Sequence, residues 1–222
     1  MTHVVLVKVG ELHLKGLNRP FFEKRLIRNI KSALYGLNCK VNIAQSRIFV
    51  YGIPDEALDD ALAKLTRVFG IHAVSPAIEL EKDYDVISAN LIKVLKDKQL
   101  TSGTFKVKAR RADKSYPMQS PELAAKLGAD ILREFPALKV DLDKPDHVFE
   151  VEIREKAYIY AEDIPGPGGL PVGTSGKATL LVSGGIDSPV AGYMIAKRGV
   201  VLEAVHFHSF PHTSLMAKEK VI

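Results

Sequence analysis

The stretch Leu180–Gly199, LLVSGGIDSPVAGYMIAKRG, indicates the fold of the last part of this 222-residue chain. Its glycine turn, SGGIDS at Ser183–Ser188, lies between an apolar run at Thr179–Val182 and a helical pattern at Pro189–Lys197. A second apolar run, Val200–His206, follows that helix. Two buried strands joined by one helix at this length predict a parallel βαβ unit, and hence an α/β domain.

The glycine turn has the residue types of an anion-binding loop. Gly184 and Gly185 allow the backbone to approach a phosphate closely, and consecutive N–H groups there can form a nest at the start of the following helix. Ser183 and Ser188 add hydroxyl donors. Asp187 makes physical sense in such a turn if it holds Mg²⁺ or orients the reacting phosphate. The alternative is a tight strand-to-helix turn in which Asp187 is only a cap.

Two other kinds of phosphate loop do not fit this part of the sequence. The segment Gly173–Lys177 lacks the spacing of a Walker A loop, and it precedes the strand instead of following it. No GxGxxG dinucleotide fingerprint follows the strand either. The glycine turn therefore indicates a phosphate loop of a different class.

The composition changes sharply upstream of the βαβ unit. Ile164–Gly176, IPGPGGLPVGTSG, is rich in proline and glycine and predicts a linker or an extended loop. Before it, residues 4–80 predict the order β-α-β-β-α-β, which is a split βαβ, ferredoxin-like arrangement. Residues 84–161 predict a helix, a strand, a second helix and three strands, the first of the three at Val140–Leu142.

Composition also excludes several classes of protein. No run approaches the roughly 20 apolar residues of a membrane span, and the N-terminus lacks the basic start and long apolar region of a signal peptide. The single cysteine, Cys39, excludes an internal disulfide and a cysteine-based zinc site. His206, His208 and His212 have no carboxylate or cysteine nearby in the sequence, so we predict no metal site built from protein side chains alone. We expect a cytoplasmic protein without a membrane partner.

Basic residues are concentrated in two blocks of the chain. Residues 1–54 carry nine Lys and Arg against two acids, and residues 93–133 carry ten against four. Residues 55–92 and 134–170 are acidic instead. Such blocks are often only solvated faces, but they are also the footprint of a polyanion-binding surface built from two modules.

The second basic block contains a strand with the pattern of an RNA-binding face. In Thr104–Arg110, apolar residues alternate with cations, and more cations and a tyrosine follow. The candidate RNA-binding residues here are Lys106, Lys108, Arg110, Arg111, Lys114 and Tyr116. Arginine suits bidentate phosphate contacts, and a tyrosine among cations can stack on a base or ribose. The alternative is the solvated edge of a strand.

Three motifs, in this order, resemble the tRNA 4-thiouridine synthetase family, also called the tRNA sulfurtransferase (ThiI) family. GELHLKGLNR at Gly10–Arg19 is similar to the family's N-terminal ferredoxin-like domain. KVKARRADKSYPMQSPELAAKLGADI at Lys106–Ile131 resembles THUMP, an RNA-binding domain of tRNA-modifying enzymes. SGGIDS resembles the PP-loop of enzymes that split ATP into AMP and pyrophosphate.

The resemblance implies the fold class and the domain boundaries. We expect an α+β ferredoxin-like domain at residues 1–60 and an α/β THUMP domain at residues 61–165. Residues 166–222 would be the linker and the first part of a doubly wound α/β PP-loop domain. They are too few for a whole domain of that kind.

The resemblance also implies the reaction and its participants. ATP, with Mg²⁺, would adenylate O4 of the uridine at position 8 of a tRNA, where the acceptor and D stems join. A persulfide sulfur from a donor such as a cysteine desulfurase would then displace AMP and leave 4-thiouridine. Family members also carry sulfur for the thiazole of thiamine.

Site residues follow from the matching positions. Asp187 is the candidate catalytic residue. The candidate ATP-binding residues are Leu181, Val182, Ser183, Gly184, Gly185, Asp187, Ser188, His206 and Phe207. Besides the cations of the second basic block, Lys15, Asn18 and Arg19 would help to hold the acceptor end of the tRNA.

The sequence departs from the family pattern in one respect. The sulfur-handling cysteine of the family lies further downstream, and Cys39 matches no catalytic position, so we interpret it as a small buried residue. Three alternatives stay open. The chain is part of a sulfurtransferase, an RNA-binding module with an inactive nucleotide loop, or an unrelated PP-loop amidotransferase or synthetase. A homodimer is compatible with a two-module platform.

Overall fold

The computed structural model describes residues 2–44, 47–209, 216 and 219–221. Its strands are β1 (Thr2–Val9), β2 (Lys40–Ala44), β3 (Arg47–Tyr51), β4 (Ile71–Leu80), β5 (Gly103–Arg111), β6 (Leu138–Val140), β7 (His147–Ile153), β8 (Ala157–Tyr160), β9 (Ile164–Pro165), β10 (Lys177–Leu181) and β11 (Val201–Val205). Its α-helices are α1 (Arg19–Ala33), α2 (Leu58–Leu65), α3 (Tyr84–Asp97), α4 (Ser120–Glu134) and α5 (Asp187–Ala196). A 3₁₀ segment at Glu11–Asn18 precedes α1, and a shorter one at Asp55–Ala57 precedes α2.

The predicted order of elements is confirmed, with one strand shifted. The strand expected at Val140–Leu142 lies at Leu138–Val140 instead. It ends there because the Asp141 carboxylate accepts the backbone N–H groups of Asp143 at 2.8 Å and Lys144 at 3.0 Å, which turns the chain. None of the helices in the described part of the chain is both long and apolar enough to cross a membrane.

The larger sheet runs in the order β2-β3-β1-β4-β8-β7-β5-β6, with β9 beside β4. Strands β5, β6 and β7 pair in parallel, while the β2–β3, β4–β8 and β7–β8 pairs are antiparallel. Helix α4 forms the crossover after β5, as parallel pairing requires. This is the α+β ferredoxin-like pattern followed by an α/β THUMP pattern.

Contacts between residues divide the chain into two compact units. The first unit comprises Met1–Leu6, Asn38–Ile53 and Ser75–Ile164. The second comprises Val7–Leu37, Pro54–Val74 and Pro165–Ile222. Because the chain passes between the units inside β1 and inside β4, neither unit is one continuous stretch of sequence. The domain boundaries expected from the sequence remain a prediction.

The first unit buries apolar side chains on both faces of its sheet. One core contains side chains of β5, β7, α3 and α4, among them Phe105, Phe149, Leu91, Leu127 and Ile131. A smaller cluster on the other face contains side chains of β1, β3, β4 and β8, namely Val4, Leu6, Phe49, Ala77, Tyr158 and Tyr160. Burial of this apolar surface is the main favourable contribution to folding of the unit.

A buried ion pair crosses the second of these faces. Arg47 Nη2 donates to Glu152 Oε1 at 2.5 Å, and Glu152 is 1% exposed. Three strands separate β3 from β7 in the sheet, so this contact requires the sheet to curl strongly. Arg154 Nε and the Tyr160 hydroxyl also donate to the Glu152 carboxylate, each at 2.7 Å. The charge of Glu152 is therefore compensated inside the protein.

In the second unit the segment after β9 is not a loose linker. We call residues 165–176 the strap. Its Gly168 N–H donates to the Ile71 carbonyl at 2.8 Å, and the Gly168 carbonyl accepts the Gly70 N–H at 2.8 Å. On the other side, the Leu170 N–H donates to the Lys197 carbonyl at 2.9 Å. The strap is thus hydrogen-bonded to the start of β4 and to the turn after α5.

The strap also lies close against α1, where glycine is required. Asn29 Nδ2 donates to the Val172 carbonyl at 3.1 Å. Gly173 has φ +91°, and a Cβ there would lie 2.7 Å from Arg25 Cζ. A larger residue at Gly173 would be strained and would push Arg25 away.

The buried ion pair predicts a large loss of stability when one partner is removed. Arg47→Met keeps an apolar stem but leaves the Glu152 carboxylate less compensated, so the free energy of unfolding should fall by about 3 kcal/mol. Urea denaturation at neutral pH measures this change. The control is Lys96→Met, which breaks the exposed pair Lys96–Glu134 and should cost less than about 1 kcal/mol. Equal losses in the two variants would contradict the assignment.

The pH dependence of stability supplies a second readout for the same variant. Burial raises the pKa of Glu152, but the charge of Arg47 and the hydrogen bonds from Tyr160 and Arg154 outweigh it and hold that pKa below its ordinary 4.5. The stabilisation is therefore present above about pH 4.5 and is lost as the pH falls through the folded-state pKa. Arg47→Met should lose less stability between neutral and acidic pH than the wild-type protein loses.

Candidate functional site

The last part of the second unit is the expected parallel βαβ unit. Strands β10 and β11 pair in parallel, with Lys177 opposite Val201 and Leu181 opposite Val205. Helix α5 packs closely on β10 at Gly192, where a Cβ would lie 2.7 Å from Leu180 Cδ2. The absence of a side chain at this position allows the helix to approach the strand.

The glycine turn, Ser183–Ser188, forms a loop between β10 and α5 that its own serines close. The Ser183 N–H donates to Ser188 Oγ at 3.2 Å, and the Ser188 hydroxyl donates to the Ser183 carbonyl at 3.4 Å. The Gly185 N–H donates to Ser183 Oγ at 3.4 Å. The two hydroxyls expected to contact phosphate therefore help to shape the loop.

The N-terminus of α5 is open to an anion. No side chain caps the helix at Ile186, which is 83% exposed. The first N–H groups of an uncapped helix need partners and lie at the positive end of its dipole. Gly184 and Gly185 are exposed beside them. This arrangement suits a phosphate group.

Asp187 fits the role of one ligand to a nucleotide-bound Mg²⁺. It is exposed in the first turn of α5. Among the described residues, no group of three or more His, Cys, Asp or Glu side chains is arranged to hold a metal ion. Mg²⁺ is commonly held by one or two carboxylates together with substrate phosphates. A single exposed carboxylate beside a phosphate loop matches that pattern.

His206 follows β11 and lies against the end of β10. Its Nδ1 is 2.8 Å from the Val182 carbonyl oxygen, so Nδ1 carries the proton, because a carbonyl only accepts. In the neutral ring Nε2 is then an acceptor. Nε2 is buried and has no partner among the described residues.

Two other candidate residues at the ends of these strands are exposed: Leu181 at 62% and Phe207 at 77%. His212 lies outside the described residues.

The basic face of β5 has the predicted alternation. Phe105 and Val107 are buried, whereas Lys108 and Arg110 are exposed. Lys106 is half-buried, and its Nζ donates to the Leu142 carbonyl at 2.6 Å. Among the cations of the strand itself, Lys108 and Arg110 are the freest to contact a phosphate.

Acidic residues of β7 lie beside these cations. The register places Lys108 opposite Glu150 and Arg110 opposite Glu152, and directly opposite side chains share a face of the sheet. Glu152 is compensated by its buried contacts, and Glu150 Oε2 accepts the Tyr160 hydroxyl at 2.7 Å. The face is therefore less positive than the sequence of β5 alone suggests.

Two residues of the predicted RNA surface have structural positions instead. Tyr116 is 6% exposed and lies in the core, so its ring has no open face for stacking on a base, and burial raises the pKa of its hydroxyl. Arg111 is half-buried, and its Nη1 donates to the carbonyl groups of Tyr116 at 2.8 Å and Met118 at 3.3 Å. It holds the loop after β5. Lys114 in that loop is exposed.

The N-terminal candidates lie together at the junction of the 3₁₀ segment and α1. Lys15 Nζ is 5.0 Å from the centre of the Phe22 ring. Asn18 is exposed and makes no side-chain cap, and Arg19 Nε donates to Glu23 Oε1 at 2.6 Å. Lys15 and Asn18 can contact a ligand directly, whereas Arg19 would have to share its charge with Glu23.

One contact of this region was not predicted. Arg198 Nη1 donates to both carboxylate oxygens of Glu11, at 3.1 and 3.0 Å. The two residues are 187 positions apart, so no local pattern in the sequence could have indicated the pair. By contrast, the inward position of Arg111 in the first unit could have been found from the sequence, because strand alternation puts residue 111 on the same face as Phe105 and Val107.

Three family models match successive parts of the chain. Residues 4–75 match the ThiI ferredoxin-like domain, residues 81–162 match the THUMP domain, and residues 173–222 match the thiamine biosynthesis protein (ThiI) family. The chain is also 52% identical to a probable tRNA sulfurtransferase of Acetivibrio thermocellus and 47% identical to one of Lachnospira eligens. Both matches cover all of this chain and 58% of the relative.

The chain belongs to the tRNA sulfurtransferase (ThiI) family. Solved structures agree with this assignment. A complex of a 4-thiouridine synthetase with RNA and bound ATP matches at 41% identity and a TM-score of 0.86, over 100% of this chain and 56% of that chain. PH1313 from Pyrococcus horikoshii matches at 34% identity and a TM-score of 0.85, over 99% and 73%. These matches support the ferredoxin-like, THUMP and PP-loop fold.

The two neighbouring arginines of β5 should behave differently. Arg110→Ala removes an exposed cation, so it should weaken tRNA binding and reduce its salt dependence by roughly one phosphate contact while stability stays within about 0.5 kcal/mol. Arg111→Ala removes the donor to two loop carbonyl groups and should lower the free energy of unfolding by about 1–3 kcal/mol. Fluorescence anisotropy at several salt concentrations and urea denaturation separate the two effects. An Arg111→Ala protein of wild-type stability would contradict this division of roles.

Proposed function

We propose that this chain provides the RNA-recognition part and the first phosphate loop of an ATP-dependent tRNA sulfurtransferase. The observation that supports this most strongly is the uncapped N-terminus of α5 beside the exposed glycines of SGGIDS, in a chain that also carries a THUMP fold. Probable tRNA sulfurtransferases and a 4-thiouridine synthetase bound to RNA and ATP are similar to it along its whole length.

The proposed reaction has two steps. O4 of the uridine at position 8 attacks the α-phosphorus of ATP, and pyrophosphate leaves with the bridging oxygen. The terminal sulfur of a persulfide then attacks C4, and AMP leaves with the former O4. A second thiol of the donor attacks the inner sulfur of the resulting disulfide, so that 4-thiouridine leaves and the donor remains as a disulfide. Activation is needed because a carbonyl oxygen is a poor leaving group and AMP is a good one. Such a mechanism divides one difficult substitution into two easier ones.

The residues after β10 would hold the phosphates during the first step. The N–H groups at the start of α5 would stabilise charge that develops on the phosphate oxygens. Mg²⁺, if bound through Asp187 and the phosphates, would neutralise charge on the departing pyrophosphate. Ser183 and Ser188 would keep the loop in shape through the hydrogen bonds that they already make.

The adenine would lie at the carboxyl ends of β10 and β11. Ligands of open α/β sheets bind in this position. The proposed contacts are Leu181, Val182, His206 and Phe207. His206 supports this, because the hydrogen bond from its Nδ1 to the Val182 carbonyl fixes the imidazole ring at this edge of the two strands.

Each of the two basic regions would supply contacts to the RNA. Lys108, Arg110 and Lys114 are exposed in the THUMP fold, and Lys15 and Asn18 are accessible before α1. Lys106 and Arg19 would attract the RNA less strongly, because Lys106 already donates to the Leu142 carbonyl and Arg19 to the Glu23 carboxylate. Tyr116 and Arg111 are not direct RNA contacts in this proposal, because Tyr116 is buried and Arg111 holds the loop after β5.

Sulfur must come from outside the residues described. Cys39 is half-buried just before β2 and already has an interaction partner, so it is poorly placed to carry a persulfide. We propose a persulfide donor such as a cysteine desulfurase. Cytoplasmic location, a homodimer and a role in thiamine thiazole synthesis are proposed on the family resemblance alone.

A second candidate function is RNA binding without chemistry. Apolar side chains on and near α5 are exposed, including Ile186, Val190 and Met194. Most residues of the SGGIDS loop are exposed, and the Lys220 side chain would lie 3.9 Å from a Cβ at Gly184. A nucleotide bound there would be poorly shielded from water, which favours recognition over catalysis for this chain alone.

Pyrophosphate release from ATP, with and without an unmodified tRNA transcript, tests the proposal. We expect release that requires both the tRNA and Asp187, so that Asp187→Asn abolishes it at unchanged volume. Glu203→Gln is the control, because Glu203 is an exposed carboxylate of β11 away from the loop. A transcript with cytidine at position 8 should not support release.

The outcomes separate the two candidates. tRNA binding without release would favour the RNA-binding module. Release that is indifferent to tRNA or to Asp187→Asn would contradict the proposed adenylation site. Absence of tRNA binding would contradict both candidates.

A further inference from the structure

The turn after α5 is a hydrogen-bonding centre of the second unit. The Lys197 carbonyl accepts the Leu170 N–H at 2.9 Å, and the Gly199 carbonyl accepts the Gly173 N–H at 2.8 Å. Gly199 also accepts the next two N–H groups of the strap at 3.0 Å. The C-terminal end of α5 is therefore fixed to the strap.

Arg198, in the middle of this turn, contacts the 3₁₀ segment before α1. Its two hydrogen bonds to Glu11 are close to equal, at 3.1 and 3.0 Å. The side chains are 55% and 40% exposed, so the pair adds little to stability. Across the described ranges of the chain, no other ion pair joins the 3₁₀ segment to residues after the strap.

The 3₁₀ segment depends on few contacts for its orientation. Leu12 is fully buried, whereas the rest of the segment is half-buried or exposed. Gly16 interrupts it with φ +50°. Glu11 starts this segment, and Lys15 and Asn18, which we propose as RNA contacts, lie within it. A change at Glu11 would therefore alter how those two residues are presented.

Helix α5 connects the turn at Arg198 with the SGGIDS loop. Its ten residues span roughly 15 Å at about 1.5 Å per residue. The Tyr193 ring packs edge-on against Phe69, with ring centres 5.0 Å apart, and Gly192 lies against Leu180. Both contacts lie in the C-terminal half of α5. Because a hydrogen-bonded helix of ten residues moves as a rigid element, a shift at its C-terminal end would move the loop at its N-terminal end.

We propose that Glu11 and Arg198 are positioning residues that couple RNA binding at the 3₁₀ segment to the geometry of the SGGIDS loop. The inference rests on the proposed function, which identifies the two ligands as tRNA and ATP. Neither residue touches the reacting atoms. Their ion pair transmits the position of the RNA-binding segment to α5, and α5 transmits it to the phosphate loop.

Thermodynamic coupling between the two ligands tests this. The affinity for the ATP analogue AMPCPP, which has a methylene group between its α- and β-phosphorus atoms, is measured with and without saturating unmodified tRNA. In the wild-type protein, tRNA should tighten analogue binding by about fivefold or more. In Arg198→Ala each ligand alone should bind within about twofold of wild type, and the coupling factor should fall towards one.

Matched variants separate coupling from simple damage. The charge swap Glu11→Arg with Arg198→Glu should restore the coupling that either single change removes. Lys177→Ala, which breaks the exposed Lys177–Glu203 pair of the same unit, should leave it unchanged. Full coupling in Arg198→Ala, absence of coupling in the wild-type protein, or failure of the swap would each overturn the inference.

A ligand-free measurement distinguishes failure of this inference from failure of the proposed function. If the wild-type protein binds neither tRNA nor the analogue, the proposed function is wrong. Amide hydrogen exchange of residues 12–15 then decides the mechanical part of the inference. Exchange should be about two- to fivefold faster in Arg198→Ala and return to the wild-type rate in the charge swap. Identical rates in all three proteins would overturn it.

Discussion

The hydrogen bonds of the strap, residues 165–176, constrain the rest of the second unit. Peptide groups of the strap pair with the start of β4 on one side and with the turn after α5 on the other. Asn29 of α1 donates to the same segment. Such pairing needs a backbone without bulky side chains, and Gly169 shows this, since a Cβ there would lie 2.2 Å from the Lys197 carbonyl oxygen. The βαβ unit is thereby attached to α1 and to the start of β4.

Long-range contacts limited what the sequence could predict. A proline- and glycine-rich composition is common to flexible linkers and to straps, and only the partners distinguish them. Those partners, such as Asn29 and Ile71, lie about 100 residues or more before the strap. By contrast, the alternation in β5 and the turn after β10 were predictable, because strand period and turn chemistry are local.

The charge of the RNA-binding surface also depends on contacts that the sequence alone does not reveal. Counting charges along the chain identified two basic blocks, but the fold decides which cations remain available. Register puts Glu150 and Glu152 beside Lys108 and Arg110, and burial turns Arg47 into a structural partner of Glu152. Adjacent cations can also have different roles: Arg110 faces solvent, whereas Arg111 donates to carbonyl groups of the loop after β5. A charge count overstates an RNA surface unless pairing is known.

Amide hydrogen exchange of the strap tests most directly whether it joins α1 and the βαβ unit into one compact body. The relevant N–H groups are those of Gly168, Leu170 and Gly173. We expect them to exchange as slowly as amides in the middle of α1, because they would open only when the unit opens. Exchange at the rate of an unstructured peptide would mean that the strap is a flexible linker, and the proposed connection between the RNA-binding segment and the nucleotide loop would be wrong.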